Sequence, residues 1–467
     1  MADWNITDFG AVADGKTKCT QAFARAIDAA NQAGGGRVLV PAGKFLTGPI
    51  HFKSNVELHL DKAATILFSR DYDDYPLVET DWEGLKTVRC ISPLWAMDVE
   101  HISITGDGVV DGQGEAWRPV KKWKMTDEQW AALTKSGGVI DEKHQMWWPT
   151  KEAMSGDAHM EELRKKAHVT LEDYKPIRDW LRPNLLKFTN CRFVTLQGPT
   201  FQNSAAWNVH LLLCENVMVK NVKILNPWYS ANGDAIDVDS CRNVEIRNSH
   251  FDCGDDAICI KSGKDEDGRK RGRPTENVTI DNCTVVHGHG GVTVGSEMSG
   301  GVRNLRVSNC IFTGTDIGLR FKSTRGRGGT VENVEISNVT MANIRHEAIS
   351  VNLYYFVTDP RPEPVSERTP RFRDMTFRNI SCVGAKRAIE VRGLPEMPVE
   401  AIMFENIRMS AELGILVTDA RDISFAGVRI EAKKSPVLHC HNVKGLKCDM
   451  LEGTGPVDDI SGHMGNL

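Results

Sequence analysis

Residues 243–263 read NVEIRNSHFDCGDDAICIKSG and residues 277–297 read NVTIDNCTVVHGHGGVTVGSE, and these two stretches decide the fold. Each begins with an Asn-Val pair, continues as a short strand of alternating apolar and polar residues, and then reaches a polar cluster. The Asn-apolar pair also occurs at Asn216, Asn304 and Asn333, so it recurs roughly every 30 residues along the chain. Repeats of this length, with strands and turns but almost no helix, predict an all-β solenoid of parallel strands.

The polar clusters recur with the coils of this predicted solenoid. Asp255 and His289 both fall 12 residues after their local Asn, so in a regular solenoid they would lie one above the other, roughly 5 Å apart. Four clusters follow similar apolar runs: Asn232-Gly233-Asp234, Gly254-Asp255-Asp256, Gly288-His289-Gly290 and Arg320-Phe321-Lys322. We expect the coiling to gather these clusters into one patch.

The composition fits one large β-rich domain. The chain has 467 residues, of which 41 are Gly, 41% are hydrophobic and 7% are aromatic. This indicates a single β-helix domain over residues 1–467. The net charge of −5 and the lack of a long basic run argue against nucleic acid as a partner.

Localisation is predicted from the N-terminus and the cysteines. Residues 1–6 do not show a basic segment followed by an apolar one, and no run of 18 apolar residues occurs, so we expect neither a signal peptide nor a membrane partner. Several of the 12 cysteines lie beside the repeat positions, where a small apolar side chain suits an inward-facing stack. We interpret them as reduced core thiols and predict a cytoplasmic location.

Two segments depart from the repeat. Residues 1–50 are interpreted as an N-terminal cap with the first coils, in which an amphipathic helix over 20–33 covers the end of the solenoid. Residues 115–182 lose the repeat, hold six of the 11 tryptophans and predict helices at 126–135 and 158–168. This partly helical insertion is either a structural cap with its own small core, which we favour, or a wall of a sugar-binding cleft.

The carboxylates of Asp234, Asp255 and Asp256 suggest acid-base chemistry. Like charges in one small site raise one another's pKa, so one of the three is expected to hold a proton near neutral pH. An acid and a base at one site are what hydrolysis of a glycosidic bond requires. An Asp in a turn often only caps backbone groups, but four clusters in register make that interpretation weaker.

The cationic pair Arg320 and Lys322 suggests an anionic ligand. The two residues are two positions apart, so on a strand both side chains project from one face. Two fixed cations beside carboxylates would suit the carboxylate of an acidic sugar. The alternative is a solvated pair that balances the aspartates. His289 could orient a carboxylate or tune its proton.

The sequence resembles the polygalacturonase family, glycoside hydrolase family 28, over almost its whole length outside the insertion. The matching phrases are Asn232-Gly233-Asp234-Ala235-Ile236-Asp237, Gly254-Asp255-Asp256 with the strand after it, Gly288-His289-Gly290, and Gly318-Leu319-Arg320-Phe321-Lys322. The resemblance implies a right-handed parallel β-helix and inverting hydrolysis of α-1,4-galacturonide links, with neither metal nor other cofactor.

The resemblance also implies roles for the matched residues. Asp255 would be the general acid, Asp234 and Asp256 would activate water, and His289 would support the acid. Arg320 and Lys322 would bind the galacturonate carboxylate on the leaving-group side, together with Tyr355, although Tyr354 beside it is an alternative. The sequence departs from the family pattern at Gly233, where Thr is common, and at Ala235, where Gly is common.

The implied substrate is an oligogalacturonide, attacked from its non-reducing end with release of galacturonate. The long insertion would close one end of the groove, as in exo-acting members. The alternatives are an endo-polygalacturonase, a calcium-dependent pectate lyase-like enzyme and a non-catalytic pectin-binding β-helix. A homo-oligomer is possible, because large apolar surface patches often mark subunit contacts.

Overall fold

The computed structural model describes residues 3–356 and 359–453 and the backbone of 457–459. The chain divides into two compact units, the first formed by Met1–Ile236 with Asp252–Asp255 and the second by Asp237–Phe251 with Asp256–Leu467. Each unit is built from right-handed parallel β-helix coils, as predicted. The expectation of one domain over 1–467 stays a prediction.

In the first unit, successive coils repeat the same strands in parallel register. The strands Leu94–Met97, Leu186–Thr189 and Val209–Leu212 pair in this order, and we call them the front column of the unit. The strands of this unit are Asp3–Asn5, Asp14–Lys18, Gly36–Val40, Gly43–Thr47, Ile50–His51, Val56–Leu60, Ala64–Phe68, Leu77–Trp82, Leu85–Cys90, Leu94–Met97, Glu100–Gly106, Val109–Asp111, Val120–Lys121, Val139–Asp141, Met146–Trp148, Leu186–Thr189, Arg192–Gln197, Thr200–Gln202, Val209–Leu212, Glu215–Lys220 and Lys223–Leu225.

The second unit repeats the pattern with strands that lengthen toward the C-terminus. Its front column is Asp256–Lys261, Gly290–Val294, Ile317–Lys322 and Glu347–Asn352, paired in this order. The other strands are Arg242–Arg247, Thr275–Asp281, Thr284–Val286, Val302–Thr313, Thr330–Ala342, Arg371–Arg392, Val399–Lys444, Lys447–Gly453 and Val457–Asp459, while Ile236–Asp239 and His250–Asp252 contain the boundaries between the units. The only α-helix among the described residues of this unit, Asp265–Arg271, holds three basic residues.

The repeated Asn residues mark left-handed corners of the coils. Asn243, Asn277 and Asn304 have φ of 57°, 58° and 57°. Asn is the non-glycine residue that adopts this region most readily. The side-chain amide of Asn277 donates to Asn243 at 2.9 Å, and that of Asn304 donates to Asn277 at 2.8 Å. The recurring Asn thus turns the backbone and links each coil to the next.

The core of the coils consists of apolar side chains that stack from one coil to the next. Phe377 lies 5.1 Å from Phe404, which lies 5.1 Å from Phe425, with the rings nearly parallel. The 12 cysteines form no disulfide among the described residues, and all except Cys448 are buried. The cysteines beside the repeat positions therefore lie in the interior, as predicted, while their reduced state stays a prediction.

The N-terminal helix forms where the sequence predicted it, and its role as a cap stays a prediction. The helix Thr20–Gln32 buries Ala22, Phe23, Ala26, Ile27 and Ala30. Gly34 and Gly35 follow with positive φ, which ends the helix. No helix among the described residues is long and apolar enough to span a membrane.

The insertion is partly helical, with α-helices Asp127–Lys135, Lys151–Met154 and Gly156–Arg164 and the 3₁₀ segments Lys122–Lys124 and Leu171–Ile177. Trp117 is buried in a small separate core with Tyr75, Ile177 and Leu181, as the cap interpretation requires. Trp123 differs, because 70% of its surface is exposed.

One further excursion from the coils was not predicted. Leu77–Trp82 and Leu85–Cys90 form an antiparallel hairpin that pairs with none of the parallel strands. Its antiparallel pairing depends on the tight turn between Trp82 and Leu85, which the repeat pattern does not indicate.

Candidate active site

In the first unit, the coils bring Asp234 and Asp255 together. Asp234 lies just before the strand Ile236–Asp239, and Asp255 follows the strand that ends at Asp252. Their carboxylate oxygens lie within 4.8 Å of each other, and Asp234 is only 3% exposed. The predicted meeting of these two aspartates, which come from successive polar clusters, is therefore present.

Two glycines make room for this approach. A Cβ on Gly233 would lie 1.9 Å from the Ser230 hydroxyl, and one on Gly254 would lie 2.5 Å from the same oxygen. The Ser230 hydroxyl itself donates to the Pro227 carbonyl at 2.6 Å. Gly233, where the family commonly has Thr, is thus explained by Ser230, which fills the space that a side chain would need.

Two buried cations from the insertion hold the aspartate loops. Lys124 donates to the Gly254 carbonyl at 3.1 Å. Arg182 donates to the Ala231 carbonyl at 2.9 Å and to the Asn232 side-chain oxygen at 2.9 Å. Neither residue was predicted from the sequence. A basic residue near either end of an insertion that precedes the motifs was the only available signal.

In the second unit, Asp256 is enclosed by donors. Lys322 Nζ lies 2.8 Å from one carboxylate oxygen, and Thr293 Oγ1 and Arg320 lie 2.9 and 3.3 Å from the other. Burial acts to raise the pKa of Asp256, but the charges of Lys322, Arg320 and Lys261 outweigh burial and hold it well below the usual range. Burial lowers the pKa of Lys322, and the Asp256 carboxylate more than reverses this and raises it to about 12.

The strand register predicted from the Asn spacing is found in the front column of the second unit. Asp256 pairs with Gly290, each being one residue beyond the positions expected to stack. A Cβ on Gly290 would lie 2.1 Å from Thr293 Oγ1 and 3.1 Å from the Asp256 carboxylate. Glycine at 290 therefore leaves the space that the Asp256 carboxylate occupies.

The structure distinguishes the two tyrosines. The ring of Tyr355 lies 4.8 Å from Lys322 Nζ and 5.5 Å from the Arg320 guanidinium. The ring of Tyr354 faces Arg392 at 4.5 Å instead. Tyr355 is therefore the tyrosine that the structure places with the cationic pair.

The second unit also holds His289 and a buried ionic network around Lys261 and Glu297. His289 Nε2 lies 3.7 Å from Asp316, a partner that the sequence did not indicate. Lys261 Nζ lies 3.1 Å from Glu297, whose pKa burial would raise but which the charges of Lys261, Lys322 and Arg327 lower to about 2. These contacts join different coils, so no local sequence pattern predicts them.

The carboxylates of Asp234, Asp255 and Asp256 suit acid-base chemistry. Asp234 and Asp255 are close enough to contact one water between them, which suits an acid-base pair. They are also close enough to bind one divalent cation together, although two carboxylates are few for the six to eight oxygens that Ca²⁺ takes. Asp256, which follows Asp255 directly in the chain, is held ionised and suits the role of a base.

Comparison with known families gives one match over most of the chain. Residues 120–448 match Glycosyl hydrolases family 28, and residues 4–67 match the model Rhamnogalacturonase A/epimerase, pectate lyase-like. An exo-poly-alpha-D-galacturonosidase of Dickeya chrysanthemi is 30% identical over 90% of this chain and 69% of its own length. A probable polygalacturonase of Vitis vinifera is 27% identical over 97% of this chain and 81% of its own length.

Solved structures agree in fold. The exopolygalacturonase of Thermotoga maritima superposes with a TM-score of 0.75 at 33% identity, covering 91% of this chain and 92% of that one. The family 28 exopolygalacturonase of Yersinia enterocolitica superposes with a TM-score of 0.77 at 25% identity, covering 95% of this chain and 78% of that one.

Proposed function

The chain belongs to glycosyl hydrolases family 28, and from this premise we propose that it hydrolyses α-1,4-galacturonide links of oligogalacturonides, acting from the non-reducing end and releasing galacturonate. The observation that carries the proposal is the approach of the Asp234 and Asp255 carboxylates to within 4.8 Å. Water and one glycosidic bond are consumed, and two sugars with free hydroxyls are formed, so no cofactor is needed.

In this mechanism Asp255 protonates the leaving glycosidic oxygen, while Asp234 and Asp256 take a proton from the attacking water. Asp256 is suited to the base role because Lys322 and Arg320 keep it ionised. The gap between Asp234 and Asp255 is shorter than the roughly 6.5–9.5 Å of typical inverting enzymes and nearer the retaining range. The inverting outcome therefore rests on the family, and proton NMR of the first-formed anomer tests it.

A uronic acid is favoured as the sugar because two cations, Arg320 and Lys322, contact Asp256 and lie beside the Tyr355 ring. Such a cationic pair suits the carboxylate of a galacturonate residue on the leaving-group side. His289 is assigned to support the acid.

Exo attack is supported by relatives and by the hairpin Leu77–Cys90. The Dickeya chrysanthemi relative and both solved neighbours carry names for exo-acting enzymes. The hairpin stands at the front column of the first unit, where its residues and those of the front column line one pocket.

The experiment is the product profile from a galacturonate pentamer labelled at its reducing end. We expect monogalacturonate and a labelled tetramer as the only early products. A spread of dimers and trimers would identify the endo alternative, and no new reducing ends would leave a non-catalytic pectin-binding module.

Metal independence is a separate prediction. A pectate lyase-like enzyme would lose activity in chelator, regain it with Ca²⁺ and form an unsaturated product that absorbs in the near ultraviolet. We expect the rate in excess chelator to equal the untreated rate, because acid-base hydrolysis by carboxylates requires no Lewis acid.

A cytoplasmic location is proposed on the chemistry of the thiols. The 12 cysteines form no disulfide among the described residues and all but Cys448 are buried, which suits a reducing compartment. Cell fractionation with detection of the protein tests this, and recovery outside the cytoplasm would contradict it. A homo-oligomer stays a prediction for sedimentation measurements.

A further inference from the structure

A pocket in the first unit has no role in the proposed acid-base chemistry. It lies between the hairpin Leu77–Cys90 and the front column and has a volume of about 150 Å³. A cavity of about this volume can hold one six-membered ring. The side chains that matter to its chemistry are those of Trp82, Arg89, Trp95, Arg182, Asn184 and Lys187.

The pocket borders the Asp234 loop. Arg182, which lines it, donates to the Ala231 carbonyl and to the side chain of Asn232, both of which shortly precede Asp234. The strand after Arg182 also pairs with the strand Val209–Leu212 of the next coil. A sugar in the pocket would therefore be close to the loop that carries Asp234.

Three cations and two carboxylates line the pocket, which leaves one positive charge in excess. Arg89 donates to the Arg182 carbonyl, and Arg182 donates to carbonyl and amide oxygens. Neither guanidinium forms an ion pair with a carboxylate among the described residues, although the charge of Glu83 acts on both. Arg89 is 6% exposed and Arg182 is 8% exposed. Burial lowers the pKa of Arg89 to about 9, and the nearby Arg182 adds to this. Buried cations are stable when an anion pairs with them, so the site favours an anionic ligand.

A polar acceptor also lies unused at the pocket. Asn184 is 6% exposed, and its side-chain oxygen forms no hydrogen bond within the described residues. Its amide nitrogen is fixed by His210 at 3.2 Å. A buried acceptor that lacks a donor is costly, and a sugar hydroxyl would satisfy it.

The walls of the pocket are rigid. Trp82 is held between the Arg89 guanidinium, 3.8 Å from its ring, and the Trp207 ring, 5.4 Å away. Lys187 is paired with Asp81 of the hairpin, which ties the hairpin to the front column. Such a site is formed before the ligand arrives, which lowers the entropic cost of binding.

We propose that this pocket binds the uronic acid residue at the non-reducing end of the substrate, with its carboxylate facing Arg89 and Arg182 and a hydroxyl donating to Asn184. The inference rests on the proposed function and deepens it. It assigns the closure of the groove to the hairpin Leu77–Cys90 rather than to the insertion at 115–182.

The test compares two trimers, trigalacturonate and the same trimer with the non-reducing-end carboxylate reduced to the alcohol. We expect kcat/KM of the wild type to fall at least tenfold on the reduced trimer, because a charge-assisted contact is lost. Equal kcat/KM for the two trimers would overturn the pocket assignment alone. If neither trimer is hydrolysed, the proposed function itself fails.

Two variants locate the effect. Arg89→Met is expected to reduce the discrimination between the trimers to less than about threefold, whereas Leu85→Ala, at an exposed position of the same hairpin outside the pocket lining, should keep it. Full discrimination in a folded Arg89→Met protein would overturn the inference. The wild-type comparison needs no variant, so a failure of Arg89→Met to fold leaves the test intact.

Discussion

Burial and neighbouring cations shift the pKa of Asp256 in opposite directions, and the cations have the larger effect. The carboxylate is almost wholly buried, which favours the neutral acid, yet Lys322 and Arg320 hold its pKa well below the usual range. Three neighbouring aspartates predict that one holds a proton near neutral pH, and the lowered pKa of Asp256 means that it is not that one. The acid is therefore to be sought at Asp234 or Asp255.

The replacement Asp255→Asn tests the acid directly. We expect turnover to fall at least about a hundredfold, because the group that protonates the leaving oxygen is lost. The melting temperature should stay close to that of the wild type, since Asn preserves the shape of the side chain. Asp107→Asn at an exposed position is the control, and an active Asp255→Asn protein would remove Asp255 from the acid role.

Lys322 is expected to act on both Asp256 and the substrate carboxylate. Its replacement distinguishes these roles from that of a solvated surface charge. Because Lys322 contacts Asp256 at 2.8 Å, Lys322→Ala should weaken both the ionisation of Asp256 and the recognition of the substrate carboxylate. We expect kcat/KM to fall by a factor equivalent to about 1.5–3 kcal/mol, with an acid limb of the pH-rate profile shifted upward. Lys270→Ala, in an exposed pair with Glu266, is the matched control. Wild-type kinetics in the Lys322 variant would show that the residue is dispensable.

At the scale of elements, different residues of the insertion fit the two roles that its sequence allowed. Trp117 packs in the separate small core, while the 3₁₀ segment Lys122–Lys124 exposes Trp123 and anchors Lys124 on the Gly254 carbonyl beside Asp255. An exposed aromatic ring next to an aspartate loop is positioned to stack on a sugar face.

The replacement Trp123→Ala should therefore raise KM for a galacturonate pentamer roughly tenfold, equivalent to about 1.4 kcal/mol of lost contact. kcat should change less, because stacking on a sugar stabilises substrate and transition state alike. Phe193→Ala is the control, since this exposed ring stacks on His101. Unchanged KM for the Trp123 variant would leave the insertion as a structural cap.

At the scale of the whole molecule, the buried ion pairs of Glu297 make the free energy of unfolding depend on pH. The Glu297 pKa lies at about 2, below its ordinary value of 4.5. Its ionised form therefore stabilises the fold fully above pH 4.5, and this contribution is lost as the pH falls through 2. The contribution is about 3 kcal/mol at most, from the size of the pKa change.

We expect Glu297→Gln to be less stable than the wild type at pH 7 and to lose less further stability between pH 4.5 and 2. Chemical unfolding at several pH values measures this. Glu128→Gln, at an exposed position, should follow the wild-type pH dependence. A Glu297→Gln curve parallel to the wild type would show that this ion pair does not control acid unfolding.

The sequence by itself determined the coils and the identity of the reactive groups. The repeated Asn residues are a local signal, because each one turns its own backbone. Asp234, Asp255 and Asp256 lie in the polar clusters that recur with these turns. The N-terminal helix and the helices of the insertion were also predictable, since apolar spacing and capping residues are local signals.

Only the tertiary structure decided which distant groups meet. The hairpin Leu77–Cys90, the contacts of Lys124 and Arg182 with the aspartate loops and the choice of Tyr355 over Tyr354 all join segments that lie far apart in the chain or depend on where a side chain points. The physical reason is that a solenoid repeats its own pattern, while an excursion from it is placed by packing and buried charge. Those interactions exist only once the coils have stacked.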